Sequence, residues 1–148
     1  MRIDTSRFGP MHIDERMVIH FPFGLLGFPE IKDYVIFDHD QDGVPFKWLQ
    51  AVTEPDLAFL IMDPCLVQPD YAVEIPTPDL QDLHVRETAS LLFFVILTIP
   101  AGDPTRMTAN LQGPVLVNSE NRWAKQLVLT NSLYHTQHLL FAPSKAIL

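Results

Sequence analysis

Thirteen prolines are spread along the chain from Pro10 to Pro143. A proline inside a helix removes a backbone donor and clashes with the preceding turn. Few intervals between them can hold a mature helix, whereas many suit strands of about five or six residues. The chain therefore reads as mostly β. Its most apolar run, Leu91 to Ile99, is rich in β-branched and aromatic residues and stops at Pro100. That favours a buried strand, and the run is far short of the roughly 20 apolar residues that span a bilayer. A polar loop follows, and a second strand is expected across Met107 to Asn118, where Thr108, Asn110 and Gln112 interrupt the apolar pattern.

The remaining strands fall at turn signals. Ile3 to Phe8 and Met11 to Asp14 flank Gly9-Pro10 as a hairpin, and a short strand covers Val18 to Phe21. Tyr34 to Phe37 and Trp48 to Val52 flank the turn Asp38 to Gly43, and Leu57 to Met62 is a buried strand ending at Asp63-Pro64. Tyr71 to Ile75 alternates in polarity, as a strand with one wet face does. Thr77 to Leu83 is the best helix, with Thr77 as N-cap and Pro78 in the first helical position. Lys125 to Leu129 pairs with Val115 to Asn118 across a short turn. The segment Phe21 to Pro29 is too rich in Gly and Pro for a regular element, yet too apolar for a solvated loop. It is expected as an ordered flap with Phe28 or Leu25 as plugs, or as part of a binding surface. The architecture expected is a small antiparallel barrel or compact sandwich of about eight to ten short strands with one or two short helices.

A chain of 148 residues fits one folded unit with an adequate core, here residues 1–140, followed by a tail, 141–148, that is disordered or an added apolar anchor. The lone Cys65 in Pro64-Cys65-Leu66 has no partner within the chain and is expected as a buried structural thiol. With no apolar leader at the N-terminus, a cytoplasmic protein is expected. The net charge of −8 disfavours direct contact with nucleic acid, whose affinity depends on Lys and Arg, and suits a basic protein partner.

Chemical motifs are weak. Asp38-x-Asp40-x-Asp42-Gly43 opens like a calcium loop, but Leu49 stands where a bidentate Glu is needed and no helices flank it, so an acidic turn is the better reading. The six histidines lack metal-ligand spacing; no nucleophile elbow or phosphate-cradling loop is present. No catalytic residue, metal or cofactor is assigned. Trp48 and Trp123 suit half-buried anchors more than interface residues. Thr108 to Gln112 carries two readings: strand and turn residues with a wet face, or an edge that pairs with another chain. A different class of function, a ligand- or metal-binding small β-barrel with its pocket beneath the flap, is the alternative.

Taken together, Thr5-Ser6-Arg7-Phe8-Gly9, Phe21-Pro22-x-Gly24-Leu25-x-Gly27-Phe28, Trp48-Leu49-Gln50, Pro55-Asp56-Leu57-Ala58-Phe59, Asp63-Pro64, Pro69-Asp70-Tyr71, Met107-Thr108-Ala109-Asn110-Leu111 with Pro114 and Asn118, and Lys125-Gln126 resemble the FliW family of flagellar assembly factors. The resemblance covers about residues 1–140. Phe23, Leu26 and Pro10-Met11 depart from the usual acidic residue, Pro and Glu-Ile. The resemblance implies a β-rich pseudobarrel without enzymatic activity, active in the cytoplasm, off the membrane and monomeric by default. Two competing partners are implied: flagellin, through its C-terminal region, and the translational repressor CsrA, the carbon storage regulator, whose repression of flagellin synthesis it relieves. On that basis the partner surface is expected to include Met107, Thr108, Asn110, Leu111 and Gln112, with an acidic patch of Asp40, Asp42, Asp63 and Asp70.

Overall fold

A computed structural model describes residues 1–38, 45–130 and 133–140. The order of elements is β1 (Arg2–Thr5), β2 (Gly9–His12), β3 (Ile19–His20), β4 (Asp33–Asp38), β5 (Lys47–Ala51), β6 (Ala58–Met62), α1 (Pro64–Val67), α2 (Thr77–Asp82), β7 (Leu91–Thr98), β8 (Thr108–Ala109), β9 (Val115–Asn118), β10 (Ala124–Gln126) and β11 (His138–Leu139). β1 and β2 form a separate hairpin, and the main antiparallel sheet runs β10-β9-β7-β6-β5-β4-β3. The eight residues of β7 are long enough to carry β9 along their first half and β8 along their second, and β11 adds to β8. The two ends of the sheet then meet. His20 of β3 forms a single parallel bridge to Trp123, and its N–H donates to the Arg122 carbonyl at 2.9 Å. Curled to one bridge rather than a full ladder, the sheet is a pseudobarrel.

Alternation along the strands explains why it curls. Ile19, Phe21, Leu25, Tyr34, Leu49, Ala51, Ile61, Phe94, Val115, Val117 and Ala124 form one buried cluster. The opposite face of the β7–β9–β10 end carries Leu91, Leu116 and Leu127, covered by Leu80 and Leu83 of the α2 region. A third cluster around Met62, Tyr71, Val95, Leu97, Met107, Ala109 and Leu111 seats β8 and the chain's C-terminal segment. Both faces of β9 and of the middle of β7 are thus covered, which is why Leu91–Thr98 and Val115–Asn118 read as near-continuous apolar runs. Each large buried side chain contributes on the order of 1.5–3 kcal/mol.

Local chemistry shifts several expected boundaries. The N-terminal turn lies at residues 6–8, where Thr5 Oγ1 accepts the Phe8 N–H at 2.8 Å and Gly9 takes φ 70°; Pro10 sits inside β2 opposite Asp4. Thr77 is inside α2, preceded by Pro76 at the cap position, where no side chain can cap. Helix α1 was not expected: Asp63 caps it by accepting the Cys65 N–H at 2.8 Å, with Pro64 in the first turn. Cys65, expected to be buried, is exposed on this single turn. What burial it has, then the Asp63 carboxylate, push its thiol pKa up, which lowers its thiolate fraction at neutral pH. Residues 71–75 keep the alternating burial of a strand, Tyr71 in, Ala72 out, Val73 half in, Glu74 out, Ile75 half in, but pair with no strand among the described residues.

Candidate functional site

The segment expected to offer an open edge is paired on both sides. Thr108 and Ala109 lie between Thr98 and Leu97 of β7 and Leu139 and His138 of β11. Around them, Leu140 N–H donates to the Met107 carbonyl at 3.0 Å and Leu111 N–H to His135 at 3.0 Å. Met107 and Leu111 are buried and offer no side-chain surface. Asn110 Oδ1 accepts the Gly113 N–H at 2.9 Å, a local turn cap, and Gln112 Nε2 donates to the Leu129 carbonyl at 3.0 Å. The interruptions at Asn110 and Gln112 thus hold the β8–β9 turn, and the chain's own residues 134–140 complete the edge.

The acidic positions do not form one patch among the described residues. Asp40 and Asp42 lie outside them. Asp63 and Asp70 are exposed at either end of the α1 region, Asp63 as its cap and Asp70 accepting from Gln68. Of the seven expected site residues that the structure describes, Asp70 alone lines the main groove.

That groove, about 1300 Å³, runs between residues 70–77 and residues 125–130, and ends at Tyr134, His135 and His138. Its volume exceeds the roughly 300–1,000 Å³ of a small-molecule cleft. Val73 and Ile75 from one wall and Leu127 and Leu129 from the other contribute to one apolar cluster, so its floor is apolar. Its rim is acidic. Lys125 Nζ is held between Asp79 at 2.5 Å and Asp82 at 2.9 Å. Burial pulls the Lys125 pKa down, but hydrogen bonds and charge from both carboxylates outweigh that and hold it above its ordinary value. The lysine's charge is therefore spent internally, leaving Asp70 and Glu74 as the rim's outward charges.

The edge at residues 126–130 was missed by sequence reading. β10 is the last strand of the sheet path, and beyond Gln126 the ladder to β9 continues as Leu127 N–H to Pro114 and Leu129 N–H to Gln112, both at 2.9 Å. Because strand residues alternate, the backbone groups of Val128 point the other way, to the outer edge. Among the described residues, nothing pairs with them. The readable signal was Val128 itself, an apolar residue in an alternating run that is 56% exposed.

The flap adjoins this edge. Phe21 and Leu25 are its buried plugs, while Phe28 lies edge-on to Phe59 at the surface. Gly24, at φ 68°, is obligatory, since a Cβ there would sit 2.5 Å from the Phe28 carbonyl oxygen. Leu26 N–H donates to Gln126 Oε1 at 3.0 Å, and the Phe23 ring lies 5.0 Å from Lys125 Nζ. Exposed Phe23, Leu26 and Val128 therefore border the acidic groove. Trp48, beneath Arg7 at 4.1 Å, and Trp123, met edge-on by His20 and His84, are half-buried. No group of three or more His, Cys, Asp or Glu among the described residues could hold a metal ion, and no helix among them is long and apolar enough to cross a membrane.

A curled antiparallel sheet with an apolar flap, a groove bordered by an open strand edge and an acidic rim defines a small β pseudobarrel built for protein contact. Residues 2–140 match the family model described as FliW protein. Flagellar assembly factors FliW of Moorella thermoacetica and Leptospira interrogans are each 39% identical, the first over 97% of this chain and 90% of its own length, the second over 95% and 93%. A crystal structure of the flagellar assembly factor FliW superposes with a TM-score of 0.88 at 34% identity, covering 98% of this chain and 99% of the other. The chain belongs to the FliW family of flagellar assembly factors, a family of assembly proteins rather than of enzymes.

Proposed function

We propose that this chain acts in the cytoplasm, as a monomer and without a cofactor, by binding either of two proteins. One is newly made flagellin, through its C-terminal region; the other is the RNA-binding repressor CsrA. Bound to CsrA when flagellin is scarce, it relieves repression of flagellin translation; accumulating flagellin recaptures it and repression resumes. The observation that carries this reading is family membership across residues 2–140. The net charge of −8 supports it, since an acidic surface speeds encounter with an RNA-binding protein's basic one.

Asp40, Asp42, Asp63 and Asp70 serve this reading as steering charges, with the half-buried side chains of Thr108, Asn110 and Gln112 at the edge of the surface. The deciding experiment is co-purification with flagellin and with CsrA, separately and together. Each should bind alone and displace the other; failure to bind either overturns the proposal. Asp40→Lys with Asp42→Lys should slow association with CsrA at low salt and flatten its salt dependence. An unchanged on-rate removes the Asp38 to Gly43 turn from the steering surface.

A further inference from the structure

We infer that the open edge at residues 126–130 takes up an extended segment of the protein partner as an added β-strand. The segment's chemistry is alternating apolar side chains with at least one Lys or Arg. This deepens the proposed function and rests on the reading of the chain as a protein-binding assembly factor.

Three independent features meet at this edge. The first is backbone. Sheet order ends at β10, and the Val128 N–H and C=O face outward with no pairing group among the described residues. Closure to His20 occupies the edge only near Arg122 and Trp123. An unpaired row of donors and acceptors beside a groove is the template that strand addition uses. The second is side-chain surface. Leu127 and Leu129 alternate into the apolar floor while Val128, 56% exposed, faces out; the flap's Phe23 and Leu26, 55% and 57% exposed, meet the same strand at Lys125 and Gln126. An incoming strand with apolar residues at every second position would extend the Leu127 and Leu129 face, leaving its alternate residues on the Val128 side. The third is charge. Lys125 is neutralised by Asp79 and Asp82, so the groove presents Asp70 and Glu74 outward. Complementarity calls for a basic residue on the segment and argues against a second copy of this acidic chain as the occupant.

The opposite wall has a matching irregularity. Val73, Glu74 and Ile75 are extended, yet their backbone groups have no partner among the described residues, whereas Ala72 just before them is held, its N–H donating to the Tyr134 hydroxyl at 3.0 Å. The groove is thus tied to Tyr134 at one end and has Val73, Glu74, Ile75 and Val128 backbone without partners among the described residues beyond it.

Val128→Pro is the discriminating variant, because it deletes a donor that makes no bond in the free protein while blocking an added strand. Purified flagellin is the probe. The expected result is an unaltered melting temperature, binding weakened at least about tenfold, a difference of about 1.4 kcal/mol, and, for the wild-type chain, slowed hydrogen exchange at the amides of residues 126–130 on binding. Glu74→Lys, which touches no backbone, should also weaken binding several-fold at low salt. Flagellin binding that leaves exchange at 126–130 unchanged and tolerates both variants overturns strand addition and leaves the proposed function standing. Failure of the wild-type chain to bind flagellin or CsrA overturns both. A concentration-dependent dimer abolished by Val128→Pro would assign the edge to a second copy and overturn the hetero-partner assignment.

Discussion

Single residues carry opposite burdens in this core. The Tyr34 hydroxyl is fully buried with no hydrogen-bond partner among the described residues, its ring packed edge-on against Phe21 at 5.1 Å. Tyr34→Phe should therefore raise stability by about 1 kcal/mol, read as an increased urea midpoint; a decrease would mean the hydroxyl makes a useful bond. Burial also pushes the Tyr34 phenol up to about 12, and burial, then the Tyr134 and Cys65 charges, push Tyr71 up too. Both pKa values lie above the unfolded value near 10. The stability they contribute is present below pH 10 and lost as pH rises through the folded values. The urea midpoint should stay flat to about pH 9 and then fall, by up to about 1.4 kcal/mol per pH unit for each tyrosine, and Tyr34→Phe should remove part of that fall. Asn110 is the reverse case, a polar atom with a job. Losing its bond to Gly113 in Asn110→Ala should lower stability by about 1 kcal/mol; flagellin binding lost at unchanged melting temperature would instead mark it as an interface residue. Sequence left Asn110 undecided between cap and interface, because the cap's partner, Gly113, is visible only as a nearby glycine until the turn's geometry is known.

At the scale of elements, what could be read was periodicity, and what could not was pairing. Leu91 to Ile99 announced β7 because burial along most of the strand leaves Thr98 as the single polar residue in the run. Asp63-Pro64 was read as a strand end and is one, yet the same two residues are also cap and first turn of α1, a signal present but passed over. The edge is the instructive failure. Thr108–Ala109 looked available because polar neighbours suggested a wet face, but the pairing of β11 from thirty residues later leaves no trace in the local pattern. Val128, truly at an edge, looked like one more strand residue. The flap tests how far an element depends on one backbone angle. Gly24→Ala combines a left-handed φ with backbone contacts at 2.5 and 2.6 Å that cannot yield. It should cost roughly 1–3 kcal/mol and expose Phe21, measured as a lower melting temperature with increased binding of a hydrophobic dye. Phe94→Asp, which places a charge in the central cluster, should abolish folding, seen as loss of cooperative thermal unfolding.

For the molecule as a whole, the seam between His20 and Trp123 governs more than shape. The two residues it joins are separated by most of the chain, so the ring of strands is a topology of distant contacts, and such topologies fold slowly. During synthesis the β3 to β6 hairpins can form as they emerge, but their sheet keeps a free edge at β3 until Trp123 has left the ribosome. A newly made chain thus lacks its closed sheet, and any contact that depends on it, until residues through Trp123 have left the ribosome.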